Sequence, residues 1–369
     1  LNLIKKQAGS KMQSQTGLVF QIQTELPDKE TINLSNQFQY CPFFIQEEKK
    51  ELLVQEDWYN SNLKVLDDFT EVVKENKYTM CLTKDFPSLH EVQNQPLFWA
   101  LYSSYASKFD YDIWLKMLSP TPQEVFPGVK KYMMQDIPIF VMTLKKFHAT
   151  ALKDLGTKRV ITDRRLSKDD LEDFEDLFPP LQKVLDLLGE SGAFVKSHSK
   201  SCKNDLALKP LKTPEDIIDN LTASKDILSR WRESNNLLIM MPFIENLDRM
   251  REFRVIILNR KIAGISQQSW YKSLDWTPDE ATFKAIQKLW EDELNAKLDH
   301  ADVVLDVYID NLGVARLIEC NPGGVWCSSG SALFSWVTDQ EILLNPDVIP
   351  FRIYKKPPCE TTVTDSKTI

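Results

Sequence analysis

Hydrophobic and polar residues follow two different periods after Pro179. Apolar residues at helical intervals (LQKVLDLLGESG, then TPEDIIDNLTASKDILSRW) alternate with short apolar runs typical of strands (AFVKSHS, then NLLIMMPF). Thr213 fits an N-cap and Pro214 the first helical position, so the second helix is predicted to begin there. The pattern therefore predicts helices and strands in mixed order.

Strands dominate the C-terminal third. The runs EFRVIIL and KIAGISQQ are joined by a turn at 259–260, and a helix is predicted over 281–297. The last two runs, VVLDVYI and ARLIECN, flank residues 310–313, whose composition favours a hairpin turn. Residues 355–369 lack apolar periodicity and are expected to be a disordered tail.

The first half of the chain is less regular. Residues 1–48 contain short β-like runs, whereas 47–77 carry apolar residues at helical spacing. The aromatic-rich stretch 96–117 is interpreted as a buried helical pair, because aromatics at helical intervals usually pack a core. Residues 158–176 are predicted as a surface loop leading into a helix capped by Ser167.

Charge and length narrow the possible partners. Acidic residues outnumber basic ones 53 to 45, for a net charge of -8, which argues against nonspecific binding to nucleic acid. The longest apolar stretches, such as Leu237–Phe243, are far shorter than the roughly 20 residues of a membrane-spanning helix, so no membrane partner is expected. Six cysteines without a C-x-x-C pair favour a reducing compartment, which we take as the cytoplasm.

Two acidic residues interrupt the closing hairpin. Asp306 lies within LDVYI, and Glu319 and Asn321 share one face of LIECN, so hairpin pairing would bring the three together. Carboxylates at contact distance repel, and oxygen ligands of this kind suit Mg²⁺. The alternative is that the two acids lie on opposite, solvated faces of an edge hairpin.

Basic residues on two other predicted strands could meet phosphates. Lys196 interrupts AFVKSHS and precedes a polar loop, although no P-loop motif is present. Glu252 and Arg254 share one face of EFRVIIL, as a phosphate-binding arginine and its partner would. An ordinary cross-strand ion pair explains the second pattern equally well.

Several motifs in order give a family resemblance. FVK with a Ser/Lys-rich loop, TPEDIIDNL, EFRVII, IAGISQ, LDVYI, LIECNP and ALFSW together resemble the cell-division-cycle 123 family, from about residue 137 to 336. The resemblance implies a divergent ATP-grasp fold of class α+β, with an ATP·Mg site between two α+β subdomains. The implied domains are an N-terminal extension over 1–136, subdomains over 137–235 and 236–354, and the tail.

The resemblance also assigns site residues. Asp306, Glu319 and Asn321 match the family's metal-binding Asp, Asp and Asn. Cofactor binding is implied for Lys196, Ser201, Lys203, Met240, Met241, Phe243, Arg254, Ser266 and Gln267. The chain departs from the family pattern where Gln268-Ser269 replaces Arg-Asp, where Met-Met-Pro-Phe replaces the adenine hinge Arg-Lys-Trp, and where Glu319 replaces aspartate.

Three functions follow as hypotheses. The resemblance implies an ATP-dependent assembly chaperone of eukaryotic translation initiation factor 2 that binds its gamma subunit. The alternative is an ATP-grasp enzyme, a ligase, kinase or nucleotidyl transferase, using the same magnesium site. A degenerate nucleotide fold that only scaffolds a partner is the third. Substituting Asp306 or Glu319 by alanine is expected to leave the fold intact and apo stability nearly unchanged, because a repulsion is relieved.

Overall fold

The computed structural model describes residues 12–13, 17–24, 43–46, 49–55, 73–83, 101, 105–162, 166–198, 209–223, 236–245, 247–323, 332–336, 338–345 and 347–356. The chain divides into two compact units. The first comprises 1–99, 248–291 and 300–369, and the second comprises 100–247 and 292–299. The division after 247 differs from the predicted subdomain boundary between 235 and 236, and 1–99 falls in the first unit. The predicted domains stay a prediction.

The first unit is built on a seven-stranded sheet in the order β1-β2-β15-β12-β11-β13-β14. Its strands are β1 Met12–Gln13, β2 Leu18–Gln23, β11 Glu252–Leu258, β12 Lys261–Gln267, β13 Val303–Ile309, β14 Ala315–Pro322 and β15 Ile349–Tyr354. The predicted strands of the C-terminal third are thus confirmed almost residue for residue. The tight turn between β11 and β12 has positive φ at Asn259 (48°) and Arg260 (62°).

The N-terminal residues complete this sheet. β2 pairs in parallel with β15, so the chain's first described strands and its last lie side by side. A second, three-stranded sheet of the same unit consists of β3 Phe43–Gln46, β4 Glu51–Gln55 and β5 Thr79–Thr83. Helical spacing over 47–77 was therefore misleading at 51–55, where pairing with two neighbouring strands decides the conformation.

The second unit contains a five-stranded sheet in the order β6-β7-β8-β10-β9. These strands are β6 Gln123–Phe126, β7 Val129–Met134, β8 Ile137–Thr143, β9 Ala193–Ser197 and β10 Leu237–Pro242. Its helices are α1 Tyr111–Leu118, α2 Lys146–Thr162, α3 Lys168–Leu171, α4 Phe178–Leu188 and α5 Pro214–Ala223, with 3-10 turns at Glu172–Leu177 and Gly189–Ser191. The mixed α+β class is confirmed.

Helix caps fall where the sequence places them. Ser167 accepts a hydrogen bond from the backbone of Asp170 and completes a capping box. Thr213 Oγ1 accepts from the Asp216 backbone, and α5 begins at Pro214. The predicted loop over 158–166 is wrong at its start, because α2 continues to Thr162.

The core of the second unit lies between the sheet and its helices. Leu181, Val184 and Leu185 of α4 pack with Ile217 and Leu221 of α5 and with buried residues of β8, β9 and β10. Of the helices described here, none is long and apolar enough to cross a bilayer.

In the first unit, helix α6 Glu280–Lys288 packs on β13 and β14 and continues as a π-helical turn, Leu289–Leu294. A short helix, α7 Gln340–Leu343, and a 3-10 turn, Arg249–Arg251, complete the described elements.

Candidate functional site

A continuous row of polar residues crosses six strands of the large sheet. Residues paired directly across neighbouring strands point to the same face, so the pairing register places these side chains together. The row, called the polar row below, consists of Gln21, Arg352, Ser266, Arg254, Asp306 and Glu319.

The residue next to each member of the polar row points to the other face of the sheet, and these neighbouring residues are apolar. The corresponding row consists of Phe20, Phe351, Ile265, Val255, Leu305 and Cys320. Phe351 stacks on Phe20 with ring centroids 5.1 Å apart. Strand alternation thus places the polar row and the apolar row on opposite faces of the sheet, and it explains why acids occupy otherwise apolar strands.

A β-bulge brings Glu319 to the polar face. Ile309 pairs with Ala315 and Val307 with Leu317, a register that would place Ile318 opposite Asp306. The register shifts between Asp306 and Val307, so that Asp306 pairs with Glu319 instead. Without this extra residue, Glu319 would point to the apolar face.

Asp306 is held by a forked ion pair with Arg254. Arg254 Nε donates to Asp306 Oδ1 at 2.9 Å, and Nη2 donates to Oδ2 at 2.9 Å. The two side chains are only 14% and 11% exposed. Asn321 Nδ2 donates a weaker bond to Asp306 Oδ2 at 3.3 Å. We call Arg254, Asp306, Glu319 and Asn321 the Asp306 site.

The surroundings of this site raise the pKa of both Arg254 and Glu252. Burial works against the Arg254 charge, but the ion pair with Asp306 and the charge of Glu319 outweigh it, and its pKa is raised. Glu252, on the same face as Arg254, has its pKa raised to about 7 by burial and then by the Asp306 charge.

The donor set fits a hard cation. Among the described residues, no group of three or more His, Cys, Asp or Glu side chains could hold a metal ion. A cation at the Asp306 site would therefore be held by two carboxylates and an amide oxygen. Because Asn321 uses its amide nitrogen on Asp306, its carbonyl oxygen can serve a cation. The predicted convergence of Asp306, Glu319 and Asn321 is confirmed, and their role as ligands stays a prediction.

The other end of the polar row stabilises the fold. Arg352 Nη2 donates to Asp339 Oδ1 at 2.8 Å, and Arg352 Nε donates to Gln21 Oε1 at 2.7 Å. Ser266 is fully buried, and its hydroxyl accepts from the Leu333 backbone at 2.9 Å. These contacts hold the 332–343 segment against the sheet. Arg352 was not among the residues predicted for the site, although its position in the apolar run IPFRIY was a usable signal.

Gln267 lies on the opposite face from Arg254. It pairs with Phe253, and its amide donates to the carbonyls of Ser269 and Lys272 at 2.8 and 2.6 Å. Its carbonyl accepts from the Tyr354 backbone at 2.7 Å. The side chain thus shapes the loop after β12, and its predicted contact with the cofactor stays a prediction.

The remaining predicted residues belong to the second unit. Lys196 lies on β9, is 3% exposed, and has its ammonium 4.4 Å from the ring centre of Tyr111. It pairs with Ile239 and therefore shares a face with Met241, whereas Met240 points into the core on the other face.

Phe243 follows β10, and its backbone N–H donates to Gly192 at 3.1 Å. Ser201 and Lys203 lie outside the described residues.

Several solved structures and one family model are similar to parts of this chain. Cdc123 from Schizosaccharomyces pombe is similar over 67% of this chain and 95% of its own, at 18% identity and a TM-score of 0.46. A D-alanine-D-alanine ligase from Coxiella burnetii is similar over 67% of this chain and 58% of its own, at 16% identity and a TM-score of 0.33.

A D-alanine–D-alanine ligase from Bacillus anthracis, solved with ATP, is similar over 80% of this chain and 95% of its own, at 11% identity and a TM-score of 0.32. No curated protein sequence matches the chain. The D123 family model matches residues 195–366, which include both β9 and the whole Asp306 site. The resemblance seen in the motifs is confirmed over this region, where the chain is similar to the D123 (Cdc123) family.

Proposed function

We propose that the chain binds ATP with Mg²⁺ and acts in the cytoplasm as an assembly chaperone of eukaryotic translation initiation factor 2, through the gamma subunit. The family assignment supports the proposal, since this function is what the motif resemblance implies. The observation that carries it is the Asp306 site, where two carboxylates, an amide and a buried arginine share one face.

The residues of the Asp306 site would have different roles in binding Mg²⁺ and phosphate. Asp306, Glu319 and the Asn321 carbonyl would hold Mg²⁺, and the guanidinium of Arg254 would donate to a phosphate. Bound Mg²⁺ would neutralise phosphate charge. As parts of a divergent ATP-grasp fold, Lys196 and Met241 remain the predicted contacts of the nucleotide in the second unit.

Nucleotide binding is tested by thermal unfolding of the full chain. The melting temperature should rise when ATP and Mg²⁺ are added together, because a ligand that binds only the native state stabilises it. Glu319→Gln should remove most of the rise. Glu341→Gln, which removes the same charge from the exposed helix α7 of the same unit, should leave it unchanged. No shift of wild type at millimolar ATP refutes the proposal.

The partner is tested with purified gamma subunit. Wild type and Glu341→Gln should retain it on a column in the presence of ATP and Mg²⁺, and Glu319→Gln should retain less. Equal retention of all three without nucleotide would favour the scaffold hypothesis.

An ATP-grasp enzyme is the runner-up, because the same carboxylates could serve phosphoryl or nucleotidyl transfer. Labelled ATP incubated with the chain and a eukaryotic lysate distinguishes the two. Covalent transfer of phosphate or AMP that is lost in Glu319→Gln would establish the enzyme in place of the chaperone.

A further inference from the structure

The fork of Arg254 occupies the carboxylate that a cation would need. Both oxygens of Asp306 accept from Arg254 at 2.9 Å, and the second oxygen also accepts from Asn321. The pair is largely buried, so water screens it little. Any cation that approaches Asp306 therefore meets a fixed positive charge.

Two cations on one buried carboxylate repel each other. A divalent ion at Asp306 would lie beside the guanidinium, and Glu319, which pairs with Asp306 across β13 and β14, would offset part of the added charge. The arginine is also the donor that an anionic ligand on this face would need.

We propose that Arg254 is the internal counter-ion of the Asp306 site, and that a divalent cation binds by displacing Arg254 from Asp306. The displaced fork then donates to the anionic ligand, so that cation and nucleotide phosphate bind cooperatively and each binds weakly alone. The inference rests on the proposed function and adds to it that the cation replaces Arg254 as the partner of Asp306. Because coupling is reciprocal, each ligand raises the affinity of the other by the same factor.

The test uses the full chain with Mn²⁺ as the cation probe and ADP as the anion probe. Free Mn²⁺ is counted by electron paramagnetic resonance, with and without saturating ADP, and the Mn²⁺ that the same ADP binds without protein is subtracted. We expect ADP to tighten Mn²⁺ binding about tenfold or more in wild type. In Arg254→Met, Mn²⁺ alone should bind at least about tenfold more tightly than in wild type, and the effect of ADP should nearly vanish.

Arg316→Met is the matched control, since Arg316 lies on the same face but pairs with Asp310 at 3.2 Å. It should keep the wild-type coupling. If Arg254→Met does not fold, the side-chain ¹⁵Nε–H signal of Arg254 in wild type, assigned by its loss in Arg254→Lys, gives the answer. When the wild type is loaded with ADP and diamagnetic Mg²⁺ in place of Mn²⁺, that signal should shift from its position in the unloaded protein, because the acceptor of the Arg254 N–H changes from Asp306 to a phosphate.

The outcomes separate the two proposals. Equal or weaker binding of Mn²⁺ alone by Arg254→Met, or an unchanged Arg254 signal in the loaded wild type, overturns the displacement while leaving the site intact. Absence of Mn²⁺ binding in every protein, even with ADP, overturns the proposed function and the displacement with it.

Discussion

Removal of Asp306 should destabilise the protein strongly. Asp306→Ala leaves Arg254 buried without its forked partner, and the charge cannot be relieved by deprotonation because a guanidinium keeps its proton throughout the physiological pH range. At an effective dielectric constant of about 20, unit charges about 4 Å apart attract by about 4 kcal/mol. Breaking a buried pair from one side costs about 3–5 kcal/mol. The structure thus overturns the expectation of nearly unchanged apo stability.

The measurement is a double-mutant cycle by urea unfolding of Asp306→Ala, Arg254→Met and the double variant. The double variant should lose about 2–3 kcal/mol less than the sum of the single losses, because it leaves no charge uncompensated. Glu280→Ala is the control, since the Glu280–Lys284 pair is exposed and should cost under about 1 kcal/mol. A loss under about 1 kcal/mol in Asp306→Ala, with additive single effects, would refute the reasoning.

Three further predictions concern stability. Glu252→Gln should remove a pH dependence of the free energy of unfolding. In wild type the raised pKa of Glu252 contributes stability that is fully present below about pH 4.5 and is lost as the pH rises through about 7, at most about 3 kcal/mol. Urea unfolding at pH 5 and pH 8 measures the difference. Gly17→Ala should lower the melting temperature and expose the N-terminus to protease, because Gly17 has φ of 74° and a Cβ would lie 2.5 Å from the Asp347 carbonyl. Thr213→Ala should cost about 1 kcal/mol in urea unfolding through the lost cap of α5, and Thr213→Ser should restore it.

Local patterns predicted the C-terminal sheet well. Strands β11 and β13 begin and end where the apolar runs do, and the turn at 259–260 adopts the positive φ angles that a tight hairpin needs. Every residue of β13 is buried, as are most residues of β11, so both strands appear in the sequence as almost continuous apolar runs. The caps at Ser167 and Thr213 were equally readable, because each is a bond between residues three positions apart.

The pairing of strands that are distant in the sequence could not be predicted from local patterns. Strands β2 and β15 are more than three hundred residues apart in the sequence, and no local pattern shows that they pair. The hydrogen bond between Gln21 and Arg352 was unpredictable for the same reason. The strand at 51–55 was missed for the same reason, since its conformation depends on two partners. Patterns also could not show that Arg254 pairs with Asp306, which reverses the expected effect of removing the carboxylate.

The bulge in β14 shows how narrowly the site depends on register. The hairpin turn fixes a pairing that would set Ile318 opposite Asp306, and one extra residue replaces it with Glu319. A slip of one residue anywhere between β11 and β14 would exchange the polar row with its apolar neighbour, placing charged side chains on the apolar face and Val255 or Leu305 on the face of the polar row. The cost of that exchange is what keeps the carboxylates aligned despite their repulsion. The energy that folds the sheet therefore also positions the side chains of the Asp306 site.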